Sequence, residues 1–325
     1  MISKLIKSPL NYTGNKYRIL PQILPYFPTD AKVIVDLFCG GATVGLNVNC
    51  EKIIFVDNNE KVVGLLKYLS TTLFDNLIHQ LDILIERYNL SCSHIHGYRK
   101  YKNIITDSNV NNGLKQYNSE GFYKLRNDYN ALSDKTTDIA NKMLYLLMVY
   151  GFNNDIRFSR EGHYNLPVGK TDLNASNVKK LKEYIDRIST INADFVCADF
   201  ASVEAREIIA TADFVYLDPP YLITTAVYNE TNKWKEDKEY ALLGLIDELI
   251  TNKKPFILSN VLEKSIKGQM KRNEPLYYWT TRHKTDLKVV DINYHYRSAS
   301  YNKINRDGKE REVIILPNGV LNDKN

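Results

Sequence analysis

Five short apolar runs recur along the chain, and each is followed by small or polar residues. The runs cover residues 32–38, 53–56, 195–198, 214–217 and 255–258. Three of them lead directly into an aspartate, namely Asp57, Asp199 or Asp218. Runs that are apolar on both faces are typical of parallel strands covered by helices on each side. Because ligands bind at the carboxyl ends of such strands, the pattern predicts an α/β fold with a Rossmann-like sheet and one polar crevice.

The long segment between the second and third runs has a different pattern. Residues 122–132 and 139–148 have helical periodicity, and the segment is rich in tyrosine, asparagine and lysine. Nothing in it resembles a buried parallel strand. We therefore expect a mostly helical inserted domain over residues 63–187, within a catalytic domain formed by residues 1–62 and 188–325.

Two further segments predict β-hairpins. Residues 151–171 place Glu161-Gly162 between two short polar–apolar alternations, which indicates a hairpin within the insert. Residues 293–316 predict a second hairpin with a basic loop. This loop is either a phosphate clamp or a solvated surface loop. Its basic residues are Arg297, Lys303, Arg306, Lys309 and Arg311.

Composition indicates an intracellular globular protein. Hydrophobic residues make up 44% and charged residues 25% of the chain, which is ordinary for that class. No apolar run reaches the roughly eighteen residues that cross a bilayer, and the N-terminus lacks a signal-peptide core, so we expect a cytoplasmic protein without a membrane partner. The four cysteines form no CxxC pair, which argues against a zinc site or a disulfide framework. The net charge of +5 is compatible with nucleic acid but does not require it.

The first strand leads into a glycine turn, CGG. Gly40 and Gly41 allow a tight turn that a ligand can approach closely, and a helix is expected to begin near Ala42. Asp57 ends the next strand, where an acid can bind ribose hydroxyls, although it could instead be a helix N-cap. Because the turn is not GxGxxG, it favours a nucleoside ligand without phosphates and disfavours a dinucleotide-binding dehydrogenase.

The fourth strand ends in DPPY, residues 218–221. Proline cannot donate to a sheet ladder, so the strand must stop there. The Asp218 carboxylate and the Pro219 carbonyl are two adjacent acceptors, which suit the two N–H bonds of an exocyclic amine. Tyr221 can stack on the ring that carries this amine. The simpler alternative is a strand that merely ends in a proline turn.

Five segments in a fixed order extend these observations to a family. They are NYTGNK (11–16), VDLFCGG (35–41), DNNEK (57–61), DFVYLDPPYLIT (213–224) and LSNVLE (258–263). Together they resemble the Dam-type, alpha-group (D12 class) DNA adenine-N6 methyltransferases of phages and restriction–modification systems. The resemblance extends from position 9 to about position 317. The family order of cofactor motif, target-recognition domain and catalytic motif matches the position of the helical insert.

The resemblance implies a methyltransferase sheet that binds S-adenosylmethionine over the ends of its first strands. It assigns cofactor binding to Tyr12, Gly14, Lys16, Asp36, Phe38, Gly40, Gly41, Asp57, Asp199, Phe200 and Asp218. It assigns catalysis to Asp218, Pro219, Pro220 and Tyr221, with the target adenine flipped out of the duplex. No metal is expected, because a sulfonium methyl group is already a strong electrophile.

The resemblance also implies that the hairpin over 152–171 reads duplex DNA in the major groove. It assigns DNA contacts to Asn11, Phe152, Asn153, Asp155, Arg157, Pro167, Lys170 and Arg297. Relatives that read GATC usually carry an apolar residue in place of Asp155 and an arginine at or beside Lys170. Because an acid accepts from cytosine N4, we hypothesise a CATG-type site, with GATC as the rival. Arg157 either reads guanine or makes a phosphate contact or surface ion pair.

Several expectations complete this interpretation. Tyr228 and Trp234 are expected on a loop that closes over the flipped base, although Trp234 could equally be packing. A cognate restriction endonuclease is an expected partner of such an enzyme. Two alternatives remain at this point: a DNA-binding protein that retains the fold without activity, and an RNA or free-nucleotide methyltransferase.

Overall fold

The computed structural model of the chain describes residues 4–12, 14–106, 110–223, 234–266, 269–293 and 310–319. Its strands are β1 Val33–Leu37, β2 Lys52–Asp57, β3 Asn192–Cys197, β4 Phe214–Leu217, β5 Phe256–Ile266, β6 Gln269–Arg272, β7 Leu287–Asp291 and β8 Glu310–Pro317. Its α-helices are α1 Leu20–Ile23, α2 Glu60–Thr71, α3 Phe74–Arg87, α4 Ser93–His96, α5 Tyr98–Lys102, α6 Lys115–Ala131, α7 Asp138–Tyr150, α8 Ala175–Ile188, α9 Val203–Thr211, α10 Glu236–Thr251 and α11 Glu274–Arg282. Short 3-10 helices cover Leu24–Tyr26, Gly45–Asn47, Val110–Asn112 and Phe152–Asn154.

The described strands form one mixed sheet with the order β3-β2-β1-β4-β5-β8-β7, and β6 pairs with β5. The first five strands in this order are parallel, whereas β8 runs antiparallel to both β5 and β7. The α/β fold with a mostly parallel sheet is therefore confirmed. The chain order reverses between β1 and β4, and the carboxyl ends of these two neighbours open the crevice where such sheets bind ligands.

The strand predictions differ in accuracy for a physical reason. In β4 every residue is buried, and in β1 and β2 nearly all are, as their uniformly apolar runs predict. In contrast, β3 lies at the sheet edge and is largely exposed or half-buried, so the expectation of cover on both faces is wrong for this strand. The prediction that the fifth strand ends at Ser259-Asn260 is also wrong. The strand itself continues to position 266. Ser259 and Asn260 are buried within the sheet, and Ser259 Oγ forms a hydrogen bond with the Tyr216 hydroxyl at 2.8 Å.

The two faces of the sheet bury two hydrophobic cores, as the period-two alternation of strand side chains requires. Along β1, Ile34 belongs to the core on one face, while Val35 and Leu37 belong to the core on the other. The first core also contains residues from α2, α3, α6, α7 and α8, and the second contains residues from α9, α10 and α11. The helices between β2 and β3 thus share a continuous core with the sheet.

The inserted segment is helical, and both helices expected within it lie inside longer ones, α6 and α7. The expected domain boundary at position 62 falls inside α2. The predicted hairpin over 151–171 is an irregular antiparallel turn held by two isolated bridges, Gly151 with Val168 and Phe158 with Tyr164, instead of continuous strands. In the described part of the chain, no helix combines the length and apolar character that crossing a membrane demands.

Two glycines inside helices give a matched stability test. A Cβ at Gly121 in α6 would lie 2.0 Å from the Tyr88 carbonyl oxygen, whereas a Cβ at Gly244 in α10 would meet nothing within 4 Å. We expect Gly121→Ala to lower the free energy of unfolding by about 1–3 kcal/mol, because the backbones must separate. Gly244→Ala should raise it by about 1 kcal/mol through helix propensity. Urea denaturation of both variants measures the difference, and equal effects would contradict the close packing of α6.

Candidate active site

The turn after β1 has a strained backbone that no regular helix could adopt. Phe38, Gly40 and Ala42 have φ angles of 68°, 47° and 63°. Two of these three residues, Phe38 and Ala42, are not glycine, and such residues rarely adopt the left-handed conformation. The expectation of a helix beginning near Ala42 is therefore wrong, and only the 3-10 turn Gly45–Asn47 follows. The turn leaves backbone groups at the crevice instead of a helix N-terminus.

Asp57 at the end of β2 fixes this turn. One of its carboxylate oxygens accepts the Gly40 N–H at 2.9 Å, and the other accepts the Asn59 N–H at 2.9 Å. Burial raises the pKa of Asp57, and these backbone donors oppose the rise. The alternative that Asp57 is a helix N-cap is wrong, because Asn59 caps α2 through Lys61 N and Val62 N. Asp57 as a whole is half-buried at the end of β2.

Asp36 supports the turn from below. Its side chain is only 2% exposed, and its carboxylate accepts the Gly45 N–H at 2.9 Å. Burial raises the pKa of Asp36 to about 7, and the charges of Asp218 and Asp57 add to the rise. This assigned cofactor residue therefore lies beneath the turn and contacts its backbone.

The N-terminal motif covers the glycine turn. A Cβ at Gly40 would lie 2.8 Å from the Tyr12 ring, so glycine is needed for the close approach of the two segments. Burial, followed by the charge of Asp57, raises the pKa of the Tyr12 hydroxyl. The Asn11 amide donates to the Asn153 carbonyl at 2.7 Å, which links this motif to the hairpin of the insert. Gly14 has a φ of 82° and lies in the turn before Lys16.

Lys16 joins the N-terminal motif to the DPPY corner, although the two are about two hundred positions apart in sequence. Its side chain is 3% exposed, and its Nζ lies 2.9 Å from Asp218 Oδ1. The Tyr221 hydroxyl donates to the same oxygen at 2.9 Å, and the Lys16 ammonium lies 4.9 Å from the Tyr221 ring centre. Burial raises the pKa of Asp218, and Lys16 opposes the rise. Pro219 is buried and Pro220 is exposed at the same corner.

Glu312 on β8 is a second acid at this corner that sequence reasoning missed. It is 1% exposed, and its Oε1 lies 3.9 Å from Lys16 Nζ. Burial raises the pKa of Glu312 to about 7; Lys16 opposes the rise and Asp218 adds to it. A signal was present in the sequence, since Glu312 shares strand parity with Ile314 and Leu316, which both lie in the hydrophobic core.

An aromatic cluster lies on the other side of the turn. The ring centres of Phe38 and Phe200 are 5.2 Å apart, and Trp234 lies 5.8 Å and 5.5 Å from them. The Trp234 indole N–H donates to Glu239, which is fully buried and also accepts from Asn273 at 2.7 Å. Trp234 is therefore held against the two assigned cofactor phenylalanines, and Tyr228 lies outside the described residues.

Asp199 follows β3 near the same cluster. Its Oδ1 accepts the Ala201 N–H at 2.9 Å, and its Oδ2 lies 3.9 Å from Lys238 Nζ. It is half-buried, whereas the neighbouring Phe200 is buried. The fold therefore gathers the assigned residues from β1, β2, β3 and β4 at one end of the parallel strands.

The hairpin residues assigned to DNA differ in exposure. Phe152, Asn153 and Pro167 are exposed, and Lys170 is half-buried. The half-buried Arg157 donates through Nε to Asn165 Oδ1 at 2.8 Å within the hairpin. The base of the hairpin, at Asn153, lies beside the N-terminal motif, since its carbonyl accepts from Asn11.

Asp155 points inward in the DNA-free chain. It is 4% exposed, and its Oδ1 accepts the neighbouring Ile156 N–H at 2.8 Å. A carboxylate turned into the protein cannot accept a hydrogen bond from cytosine N4. The choice between CATG and GATC stays a prediction, and a sequence pattern alone could not indicate that this acid points inward.

The basic C-terminal loop can be described only at its ends. Arg297, Lys303, Arg306 and Lys309 lie outside the described residues. Arg311 lies within β8, and its Nε pairs with Asp291 Oδ1 of β7 at 2.7 Å. The antiparallel pairing of β7 and β8 agrees with the expected hairpin at its base.

The chain is similar in sequence to known DNA methyltransferases. The sequence model of the D12 class N6 adenine-specific DNA methyltransferases matches residues 12–295. The chain is 36% identical to the Type II methyltransferase M.FokI of Planomicrobium okeanokoites, over 95% of this chain and 42% of the relative. It is 32% identical to the modification methylase StsI of Streptococcus sanguinis, over 94% of this chain and 42% of the relative. The chain thus spans less than half the length of these two relatives.

A solved structure was also matched. The rRNA methyltransferase aviRa from Streptomyces viridochromogenes overlaps 80% of this chain and 84% of its own, with 12% identity and a TM-score of 0.29. An overlap this loose does not inform the function.

Proposed function

The chain belongs to the family of D12 class N6 adenine-specific DNA methyltransferases, and from this premise we propose that it transfers a methyl group from S-adenosylmethionine to the N6 atom of an adenine in a short duplex site. The observation that carries the proposal is the position of Asp218. The Asp218 N–H donates to the Leu37 carbonyl at 3.3 Å, so the DPPY corner begins beside the last residue of β1. An acceptor for an exocyclic amine therefore lies next to the glycine turn.

The chemistry of this corner suits an amine nucleophile. The lone pair of an aromatic amine is delocalised into its ring, so the nitrogen is a weak nucleophile. The Asp218 carboxylate and the Pro219 carbonyl would accept its two N–H bonds, which localises the lone pair and stabilises the positive charge that develops during transfer. Tyr221 would stack on the flipped base, and Lys16 favours the ionised form of Asp218 against the effect of burial. Asp218 can then take the proton that the methylated nitrogen releases.

The residues around the turn fit a nucleoside cofactor. The Tyr12 ring packs against Gly40, Asp57 is half-buried, and Phe38 offers an aromatic ring beside Phe200. A carboxylate that already accepts two backbone N–H groups can still accept ribose hydroxyls through its remaining lone pairs. S-adenosylmethionine would supply a methyl group bound to a sulfonium sulfur. Tyr12, Phe38, Asp57 and Phe200 would bind and orient it, with Asp199 beside them.

The hairpin of the insert supports duplex DNA as the substrate. The exposed ring of Phe152 and the backbone at Asn153 lie beside the N-terminal motif, because Asn11 bonds the Asn153 carbonyl. An exposed aromatic side chain near the pocket suits the space left by a flipped base. Arg157 would reach a base edge or a phosphate only by releasing Asn165.

We also propose a cognate restriction endonuclease as the biological partner. The relatives are named as a Type II methyltransferase and a modification methylase, and this chain matches nearly all of its own length to a part of each. Methylation of a shared site would protect host DNA from such an endonuclease. Co-expression with a candidate endonuclease that is toxic by itself measures this protection.

The proposed activity is tested by sequencing methylated adenines in DNA from cells that express this chain. We expect N6-methyladenine at one short recurrent site, and none above background with Asp218→Ala. The recurrent sequence itself then decides between GATC and other sites. An equal methylation pattern with the Asp218→Ala variant would overturn the proposal.

The position of Trp234 predicts a fluorescence response to the cofactor. The chain has two tryptophans, so Trp279→Phe leaves Trp234 as the single reporter. Because Trp234 packs against Phe38 and Phe200, we expect its emission to change on addition of S-adenosylmethionine, with the same dissociation constant that calorimetry gives. In Trp234→Phe the emission of Trp279 should not change. The Trp279 indole N–H donates to Asp247, which lies about two turns further along α10 than Glu239, the partner of Trp234. A silent Trp234 would contradict the cofactor role of this cluster.

A further inference from the structure

Three side chains of metal-ligating types meet within the inserted segment, and none of them is among the residues assigned to the cofactor, to catalysis or to DNA. Asp82 lies on α3, Cys92 directly precedes α4, and His94 lies on α4. One ligand atom from each lies within 4.8 Å of the other two. The absence of a CxxC pair from the sequence argued against a zinc site. The fold instead brings one cysteine together with a histidine and an acid.

The geometry of the three groups suits one small cation. His94 Nε2 lies 2.8 Å from Asp82 Oδ1, and Cys92 Sγ lies 3.6 Å from the same oxygen. Ligands about 2.0–2.3 Å from a tetrahedral zinc ion lie roughly 3–4 Å from one another, so a small movement admits the ion. His94 also borders a surface cavity lined by residues of α8, which gives access to a water ligand.

A buried polar network fixes the backbone around these ligands. Asp172, which is 2% exposed, accepts from Ser91 Oγ at 2.9 Å, from the Ser93 N–H at 2.8 Å and from Ser93 Oγ at 2.5 Å. The Asn118 side chain binds both the backbone and the hydroxyl of Ser91. The residues on both sides of Cys92 are thus held in place. Metal sites depend on such supporting contacts to orient their ligands.

We propose that Asp82, Cys92 and His94 bind one divalent transition-metal ion of the zinc type, with water as the fourth ligand, and that the ion braces the base of the hairpin. Asp172 links the two, since it follows the hairpin residues 151–171 directly and holds both neighbours of Cys92. Binding requires the thiol to lose its proton to solvent, while histidine binds as the neutral imidazole and aspartate as the carboxylate. Without an ion, burial and then Asp82 raise the pKa of the Cys92 thiol to about 12.

Cobalt(II) is the probe for this site, because its spectrum reports both thiolate ligation and coordination number. The chelator-treated full chain is titrated with cobalt(II) and then with zinc(II). We expect a thiolate-to-cobalt charge-transfer band and strong visible bands that saturate at about one equivalent and disappear on addition of zinc, as tetrahedral sulfur-containing sites require. Absence of the charge-transfer band in the wild-type chain overturns the proposal and leaves a hydrogen-bonded cluster.

Variants assign the ligands. Cys92→Ser should lose the charge-transfer band, and Asp82→Asn should weaken cobalt binding by about tenfold or more. Cys197→Ser is the matched control, since Cys197 is the exposed cysteine and should leave the spectrum unchanged. A band that survives in Cys92→Ser, or disappears in Cys197→Ser, contradicts the assignment. Should Cys92→Ser fail to fold, the wild-type titration and Asp82→Asn still decide.

Thermal unfolding tests the bracing role separately. Zinc should raise the melting temperature of the wild-type chain and of Cys197→Ser, and a chelator should reverse the increase. No increase in the wild-type chain would overturn the bracing role. None of these measurements uses methyl transfer, so a negative result here leaves the proposed enzymatic function intact, and a positive result does not depend on it.

Discussion

Asp218→Asn is expected to lower the single-turnover rate constant for methyl transfer by about a thousandfold, the loss typical of a missing electrostatic contact to the reacting group. The asparagine side chain has nearly the same shape but replaces one acceptor oxygen with an N–H donor and removes the negative charge. It keeps one carbonyl acceptor, but it can no longer take up the proton of the amine or balance the charge of Lys16, whose Nζ lies 2.9 Å from the carboxylate. Rapid-quench measurements with labelled cofactor give the rate constant.

The dissociation constant of the cofactor should change far less, because the Asp57 carboxylate and the aromatic rings are untouched. Asp213→Asn is the matched control, since Asp213 lies at the opposite end of β4 and accepts the Lys32 and Val33 N–H groups. It should leave the rate constant at the wild-type value. A loss confined to cofactor affinity in Asp218→Asn would show that this acid binds the cofactor without assisting the transfer.

The parts of the fold that were predictable are those that local sequence determines. A strand buried on both faces must be apolar throughout, so β1, β2 and β4 were located within about a residue. The edge position of β3 depends on which strands lack a neighbour, and the six residues of the strand cannot reveal that. The left-handed Ala42 shows a similar limit, because alanine favours a helix and tertiary hydrogen bonds, from Gly40 to Asp57 and from Gly45 to Asp36, fix the turn in this conformation.

The candidate site was predictable as motifs but not as contacts. The resemblance assigned Lys16 to the cofactor, whereas the geometry pairs its ammonium with Asp218. Such a pairing depends on how the N-terminal segment lies across the sheet. The burial of Glu312 was predictable, because it shares strand parity with core residues. The sequence did not reveal that Lys16 is the cation beside it. The inward orientation of Asp155 was not predictable either, because it is set by tertiary packing.

The second large effect is expected at Lys16, which is shared between two buried acids. Lys16→Met should lower the free energy of unfolding by about 3–5 kcal/mol near neutral pH, because it leaves buried carboxylates without their cation. It should also lower methyl transfer by about a hundredfold, since Asp218 would then bind a proton and lose its acceptor. This activity should recover as pH rises and Asp218 ionises again. A loss that is the same at every pH would indicate that Lys16 contributes packing alone.

The pH dependence of stability separates the contribution of Glu312. Because burial raises its folded pKa to about 7, above its value in the unfolded chain, Glu312 contributes stability at low pH. This contribution is fully present below the unfolded pKa of about 4.5 and is lost as pH rises through about 7. Glu312→Gln should therefore be more stable than the wild type at about pH 8, by roughly 2–3 kcal/mol, and the difference should vanish at low pH.

Combining the two substitutions decides whether charge balance is the cause. The double variant Lys16→Met/Glu312→Gln removes the shared cation together with one of its acids. The gain in stability from Glu312→Gln should therefore be larger in the Lys16→Met background than in the wild type. Asp36, whose pKa is also raised to about 7, is present in every variant, so part of the wild-type dependence of stability on pH remains in each of them. Urea denaturation across the pH range measures all four proteins. Simple additivity of the two substitutions would contradict a shared Lys16, since a cation 3.9 Å from Glu312 and 2.9 Å from Asp218 must couple them.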